Sequence, residues 1–428
     1  MKKNCASSTK NALLECNFPV RYRLYLVFLL TALFLVGCAG FGSKVRSSRT
    51  AFENGDYTAA AAQLDKLLEK KDNDELAYLM ELGLVYHTAG KYKEAIATFT
   101  RADKLAEIRD YTSLTKEAAS VLLSDEVKPY KGEDFEKILI NVYLAIDYAL
   151  LGQEESALVE CRRVNHKLDL MIGKGKLPYD RNAFAKYLAG ALFESGGEWN
   201  SALVDYRQLV SWRGPMPYLG EPVLRLTQKL GMEQELEEYR KKFQGVTDYK
   251  LSKKEGEVIL VLEQGKAPYK VPREGFRLLP RFQRSASVNQ SAILRSEGGE
   301  KAKSEPFFDI EATAEKELEH RVGLILAKKI GGLVVKEMAA AAVEKTTKSE
   351  LAGAITRLVL YAQDQADLRS WTFLPARLQL ARLKLPAGKH TLYLDTIQTY
   401  GGTVTGYRKW EGVEVKPGKI TFINARVL

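Results

Sequence analysis

Between residues 76 and 110 the chain places small and large apolar residues at two fixed spacings, and this pattern restricts the fold more than any other feature. It reads Leu79-x2-Leu82-Gly83-x2-Tyr86, then Gly90-Lys91-Tyr92, then Ala95-x3-Phe99 and Ala102. Spacings of three and four put each set on one face of a helix. Gly90 marks the turn between two helices. Gly83 and Ala95 are small enough for two antiparallel helices to approach closely, and the larger Tyr86 and Phe99 fill the gaps between repeats. The same grammar recurs three times. Gly55-Asp56-Tyr57 and Ala60-x3-Leu64 precede the unit. Asn141-x2-Leu144-Ala145-x2-Tyr148, Gly152 and Ala157-x3-Cys161 follow it, and then Lys186-x2-Ala189-Gly190-x2-Phe193, Gly197 and Ala202-x3-Tyr206. A further helix pair surrounds Gly231. The marker residues Ala60, Ala95, Ala157 and Ala202 lie 35, 62 and 45 positions apart. The insertions Leu105–Asp134 and Met171–Asp180 therefore break the period.

This grammar resembles the tetratricopeptide repeat, with Leu79 where that repeat usually carries Trp. The resemblance predicts a helical solenoid over residues 51–245, with a concave face between stacked helix pairs. In the repeat family fixed positions of each first helix line that face. Here they are Met80 and Leu84, Val142 and Ile146, Phe184 and Tyr187. The face is apolar, which suits an amphipathic helix or a hydrophobic strand better than an acidic tail. Two occupants fit: another protein, for which these six are the partner-binding residues, or the chain's own C-terminal half.

The N-terminus carries Arg21 and Arg23, an apolar run from Leu24 to Val36, and then Leu35-Val36-Gly37-Cys38. A basic region, an apolar region and small residues before a cleavage point make a secretory signal. The run is about thirteen residues, short of the roughly 20 that cross a bilayer. Cys38 in this setting resembles the lipobox of bacterial lipoproteins, which implies removal of residues 1–37 and acylation of Cys38. Residues 38–50 then form a lipidated tether. Ala39 after the Cys, with no Asp there, implies sorting to the outer membrane, facing the periplasm.

Beyond residue 245 the composition changes. Glu257–Glu263 is a short, β-branched apolar run and reads as a buried strand. Residues Gly275–Phe282 read as extended, and Arg284–Pro306 as an exposed loop. Glu311–Ala342 reads as helical, interrupted at Ile330-Gly331-Gly332. Its lysines exclude a membrane span, leaving core packing against Glu350–Gln363 or a position on lipid. From Ala376 onward Leu378–Leu383, Lys389–Asp395, Tyr407–Val415 and Ile420–Val427 read as strands. Pro-Ala-Gly-Lys at 386–389 and Pro-Gly-Lys at 417–419 mark strand starts. The expected fold is thus multidomain, an α-solenoid followed by an α+β part: a mixed strand and helix region at 255–375 and a small β-sandwich at 376–428.

Two blocks carry a second resemblance. One runs from Tyr130-Lys131-Gly132-Glu133-Asp134-Phe135-Glu136 to Glu160-Cys161-Arg162-Arg163. The other is Asp367-Leu368-Arg369-Ser370-Trp371-x2-Leu374-Pro375. With Cys38 they resemble an uncharacterised family of bacterial tetratricopeptide-repeat lipoproteins. That family is similar to envelope lipoproteins found beside activators of cell-wall synthases, which implies a shared process. Glu136, Glu160, Arg162 and Arg163 form either a polar site at the groove edge or ion pairs between helices. Asp367, Arg369 and Trp371 form either a recognition corner or a structural lock in which the Arg stacks on the Trp.

The net charge is +10, of which residues 1–37 hold +4, leaving +6 spread thinly over the rest. Of four cysteines, Cys161 alone remains beyond the tether, so no internal disulfide is expected, and it reads as a buried, inert thiol. His87, His166, His320 and His390 are scattered, and no phosphate-loop, Gly-x-Ser-x-Gly or His-Glu-x-x-His motif is present. No cofactor, metal site or nucleic-acid partner is expected. The reading is a non-enzymatic adaptor in the cell envelope, bound to membrane lipid through Cys38 and to an envelope protein. The alternative is a binder of cell-wall polymer working through Tyr400, Tyr407 and Trp410.

Overall fold

The computed structural model describes residues 40–116, 128–173, 182–247, 249–286, 289–362, 365–398 and 402–428. The chain divides into two compact units, Met1–Lys44 and Val45–Leu428. Within the first, the described residues hold one helical turn, Phe41–Lys44. Cys38 and the signal segment lie outside the described residues. The rest of the fold belongs to the second unit.

Ten helices stack as five antiparallel pairs among the described residues: α1 Arg46–Glu53 with α2 Tyr57–Leu68, α3 Glu75–Thr88 with α4 Tyr92–Lys116, α5 Asp134–Leu150 with α6 Glu154–Gly173, α7 Ala183–Gly196 with α8 Trp199–Arg213, and α9 Gly220–Lys229 with α10 Glu233–Lys242. The expected tether ends sooner than Thr50. Helix α1 begins at Arg46 because it has a core contact to make: Phe52 is buried and stacks on Phe373 at 4.8 Å. Helix α4 continues into the first expected insertion as far as Lys116. Residues 117–127 of the first insertion and 174–180 of the second lie outside the described residues.

The small residues do what their spacing implied. A Cβ on Gly83 would lie 2.4 Å from Phe99 Cε1, and one on Gly190 would lie 2.7 Å from Tyr206 Cε1. Both rings are fully buried. Each glycine thus admits the aromatic of the partner helix to within backbone distance.

The C-terminal half forms two four-stranded sheets, a hairpin and two helices. The strands are β1 Glu255–Gln264, β2 Tyr269–Arg273, β3 Phe276–Gln283, β4 Asn289–Ser296, β5 Lys301–Lys303, β6 Glu305–Asp309, β7 Arg377–Pro386, β8 Gly388–Gln398, β9 Thr403–Val415 and β10 Ile420–Val427. Sheet A has the order β10-β1-β7-β6 and sheet B the order β5-β4-β8-β9, while β2 and β3 pair alone. Strand β1 runs parallel to β10, with Leu260 opposite Ile423, and antiparallel to β7, with Leu260 opposite Ala381. Helices α11 Ile310–Thr347 and α12 Glu350–Ala362 are inserted between β6 and β7.

Side chains from both sheets meet in one sandwich core. Val258, Leu260, Leu262, Ala381, Leu383, Ile423 and Ala425 of sheet A pack with Ala292, Leu294, Leu392 and Leu394 of sheet B. Alternation along each strand sends Glu257, Ile259, Val261, Glu263, Leu380 and Arg382 to the opposite face of sheet A. That face meets the helical array, which is why β1 is buried on both sides.

Three expectations are corrected here. The sandwich is not confined to 376–428: β1 and β6, from 255–375, are integral to sheet A, so strands on both sides of residue 375 share one core. Residues 284–306 are not simply a loop, because β4 and β5 supply Ala292, Leu294 and Ala302 to that core. Helix α11 passes through Gly331 and Gly332 without a break.

Gly83→Ala and Gly190→Ala are expected to destabilise the protein by about 1–3 kcal/mol each, from overpacking against buried rings. Gly196→Ala, whose Cβ would meet nothing within 4 Å, is the neutral control. Urea denaturation of the three variants measures this.

Candidate functional site

The concave face of the array was the expected binding site, and the structure fills it from within the chain. Met80, Leu84, Val142, Ile146, Phe184 and Tyr187 are all buried. They lie on α3, α5 and α7, whose other side chains bond directly to the C-terminal half. As partner-binding residues these six are therefore corrected: nothing outside the chain can reach them while the C-terminal half is seated.

The centre of the seat is the segment after α12. Trp371 is 1% exposed, with its ring 5.7 Å from Phe99 and 5.6 Å from Tyr143. Its backbone N–H donates to Glu136 Oε1 at 2.7 Å. The N–H and hydroxyl of Thr372 donate to Glu81 Oε1 at 2.8 and 2.6 Å, and the Phe373 N–H donates to Glu81 Oε2 at 2.9 Å. Two carboxylates on the array thus accept successive backbone amides of an irregular segment that has no ladder of its own. Burial raises the Glu81 carboxyl to about 7 against the pull of the Thr372 donors. Glu136 is also raised, first by burial and then by its neighbour Glu133. Glu136 in addition accepts from Tyr130 Oη at 2.6 Å and from the Glu133 N–H at 2.9 Å, completing a capping box on α5.

Asp367 and Arg369 lock the entry to this segment. Arg369 donates to Asp367 at 2.8 and 2.9 Å, to Asp74 at 3.2 Å and to the Lys128 carbonyl at 2.8 Å. Its guanidinium lies 5.1 Å from the Tyr130 ring. The expected Arg-on-Trp stack is corrected: Arg369 stacks on Tyr130, and Trp371 goes into the array. The N-terminal part of the first sequence block, with Tyr130 and Glu136, and the second block, with Arg369 and Trp371, thus meet in one intramolecular contact.

Two buried charge clusters join the array to sheet A. In the first, His87 on α3 donates from Nδ1 to Asp147 Oδ1 at 2.5 Å and from Nε2 to Glu263 Oε1 at 2.6 Å. Both ring nitrogens are engaged, which leaves neither for a metal. Burial opposes the imidazolium, but Asp147 and Glu263 outweigh it and push the pKa up to about 10. Asp147, with this one cation, is still raised to about 6 by burial. Burial likewise raises Glu263, but His87, Arg426 and Tyr143 overcome it and its pKa is lowered. Arg426 of β10 reaches Glu263 at 3.3 Å and the carbonyls of Phe373 and Leu374 at 3.0 and 3.1 Å. In the second cluster Arg382 of β7 bonds Glu257 of its own sheet and, on α7, Glu194 at 2.9 Å and Tyr187 Oη at 2.9 Å. Arg225 on α9 joins Glu194 and Glu257 at 2.6 and 2.9 Å. Despite its burial, Glu194 is lowered to about 2 by the two guanidinium groups.

The other motif residues sit apart from this contact. Glu160 accepts from Asn141 Nδ2 at 2.8 Å, and Arg163 pairs with Asp103 and with Glu107, the latter at 2.9 Å. Arg162 lies 5.4 Å from the Phe193 ring. Arg162 and Arg163 line an open depression of about 330 Å³ with Glu107, Val159, His166 and Lys167. Cys161 is buried, and burial pushes its thiol far above the usual range. On β9 Tyr407 is exposed, but Trp410 packs against the sandwich core and is corrected as an exposed aromatic. Tyr400 lies outside the described residues.

The sequence reading missed His87, Asp147, Glu263, Glu81, Arg382 and Glu257. One signal was available: Glu257 and Glu263 bracket an otherwise apolar strand on the same face, six residues apart. A strand buried on both sides places such charges against partners.

Residues 46–107 match the tetratricopeptide repeat family model. Solved structures that match part of this chain include that of MamA protein, 16% identical over 46% of this chain and 87% of that one, TM-score 0.32. A tetratricopeptide repeat protein from Parabacteroides merdae is 18% identical over 46% of this chain and 63% of that one, TM-score 0.32. Tetratricopeptide-like repeats of a putative kinesin light chain from Podosopora anserina are 17% identical over 47% of this chain and 91% of that one, TM-score 0.32. No curated protein matches the sequence. The helical half is of tetratricopeptide-repeat type, a class that serves as scaffolds for protein contacts.

Two predictions follow from the filled face. Trp371→Ala is expected to cost about 3–5 kcal/mol, read by chemical denaturation. The second concerns pH. The folded pKa of His87 lies above its unfolded value of about 6.5, so its stabilisation is complete below that pH and is lost as pH rises toward 10. Asp147 and Glu81, raised to about 6 and about 7, act with the same sign at lower pH. The melting temperature should therefore fall from pH 7 to 9.5, and His87→Gln should flatten that slope while lowering stability throughout.

Proposed function

We propose that this chain is a non-enzymatic envelope scaffold, held by an acylated Cys38 at the periplasmic face of the outer membrane, that contacts its protein partner through outward surfaces and not through the groove. The observation that carries this reading is the occupied concave face: Trp371, sheet A and their buried ion pairs use the surface that a repeat array would offer to a partner. What remains for another protein is the outer side of the array, where Val204 on α8 is exposed and where Val159 on α6, also exposed, lines the depression with Arg162 and Lys167. The cell-wall process implied by the family resemblance fits a scaffold tethered close to the membrane. The buried carboxylates accept hydrogen bonds from the chain's own amides or pair with its own cations, a structural use that fits a role without chemistry.

Photo-crosslinkers placed singly at Val159, Val204 and Ile146 test this in intact envelopes. Crosslinks to a second protein are expected from the two exposed positions and none from Ile146. Crosslinks from Ile146 would mean that the groove opens to a partner. Cys38→Ala should leave the precursor unprocessed and unacylated, read by mass spectrometry of the N-terminal peptide. Normal processing of that variant would remove the anchoring part of the proposal.

A further inference from the structure

The base of α11 is fixed and the remainder projects. Glu317 accepts the N–H groups of Asp134 and Phe135 at 2.9 and 3.0 Å, capping α5, and Arg321 pairs with Glu133. Beyond Arg321, α11 packs mainly on α12, and the polarity of the pair is inverted. Along α11 the exposed stripe is Ile330, Val334 and Met338, with Met338 68% exposed. The stripe two positions on, Gly332, Lys336 and Ala340, is buried. Two residues are about 200° of helical rotation, so the apolar stripe points away from the seam. On α12, Leu351, Ile355 and Leu358 are exposed, Leu351 and Leu358 at 70%, while Gly353 is buried against Glu344.

Polar groups bridge the seam instead. Lys336 Nζ donates to the Leu360 carbonyl at 3.0 Å, Arg357 donates to Glu337 and Glu344 at 2.8 and 3.1 Å, and Tyr361 Oη donates to Glu337 at 2.7 Å. Small residues at the seam, polar pairs across it and aliphatic side chains outside is the arrangement helices take when their solvent is lipid. The outward stripes point to opposite sides of the hairpin. A single flat partner would cover only one of them, whereas acyl chains reach both.

We infer that the α11–α12 hairpin is a lipid-binding arm that embeds sideways in the interface of an anionic bilayer. It does not cross. Helix α12 has 13 residues, about 20 Å, against a hydrocarbon core of about 30 Å. No described helix is long and apolar enough to cross a membrane. The polar tip at Thr346-Thr347-Lys348 also argues for lying flat. Lys328 and Lys345 on α11 and Lys348 at the tip are exposed and suit acidic headgroups. This contact is separate from the proposed acyl anchor, and either can fail without the other.

The test uses the compact unit Val45–Leu428, which lacks Cys38. It is sedimented with vesicles of phosphatidylglycerol and phosphatidylethanolamine, beside the double variant Leu351→Asp, Leu358→Asp. Both sites are exposed, so the variant should melt like the parent. Vesicle binding by the parent, weakened at least about tenfold in the variant, is the expected result. A blue shift of indole emission in Met338→Trp on adding vesicles would place that stripe in lipid. Absence of binding would overturn the inference. So would binding unchanged in the double variant, or a parent that dimerises through these residues without binding vesicles, which would make the occupant a second copy.

Discussion

A single tryptophan and the carboxylates around it set the relation between the two halves of this protein. Trp371 packs against both Phe99 and Tyr143 on the inner side of the array, and the amides of residues 371–373 are held by Glu136 and Glu81. An irregular segment has no ladder to satisfy its N–H groups, and burying them unpaired would cost about 1–3 kcal/mol each. The array supplies the acceptors. A charged acceptor makes a stronger bond than a neutral one, but its own burial must be offset. Here Glu136 also takes the Tyr130 hydroxyl and caps α5. Removing the segment would take from Glu81 the Thr372 and Phe373 donors and from Glu136 the Trp371 donor, so seat and segment depend on each other.

The two buried charge clusters extend this dependence across the sheet. His87 joins α3 and α5 to β1, and Arg382 joins α7 to β7. Buried ion pairs are weak sources of net stability, yet breaking one partner is costly. Their effect is therefore on register: an apolar sheet face could slide on an apolar groove, and these pairs permit one position. A repeat array normally offers its concave face to other molecules. In this chain that face is part of the core.

Much of the helical half was readable from its residues. Gly83, read from its spacing as a residue that lets two helices approach closely, does so against Phe99, and Gly190 does so against Tyr206, close packings that only a Gly opposite an aromatic can make. The strand at 257–263 and the strands after 376 were readable for the same local reason. Sheet order was not, because β1 pairs with β10 across more than 150 intervening residues and nothing local encodes such a partner. The six groove positions show a second limit. Periodicity identifies an apolar face but not what covers it, and Met80 or Ile146 would read identically beneath a foreign helix. On α11 and α12 the same limit runs the other way. Periodicity there suggested core packing, yet the apolar stripes face outward and the seam holds Gly332, Gly353 and Lys336.

The central claim is that the groove is closed by the chain itself. Native-state hydrogen exchange at the amides of Trp371, Thr372 and Phe373 tests it most directly, since each donates to a carboxylate of the array. The account requires these three amides to exchange as slowly as those of β1, through global unfolding alone. Fast exchange at 371–373 while β1 stays protected would show that the segment leaves its seat in the folded protein, and that the groove is open to other occupants.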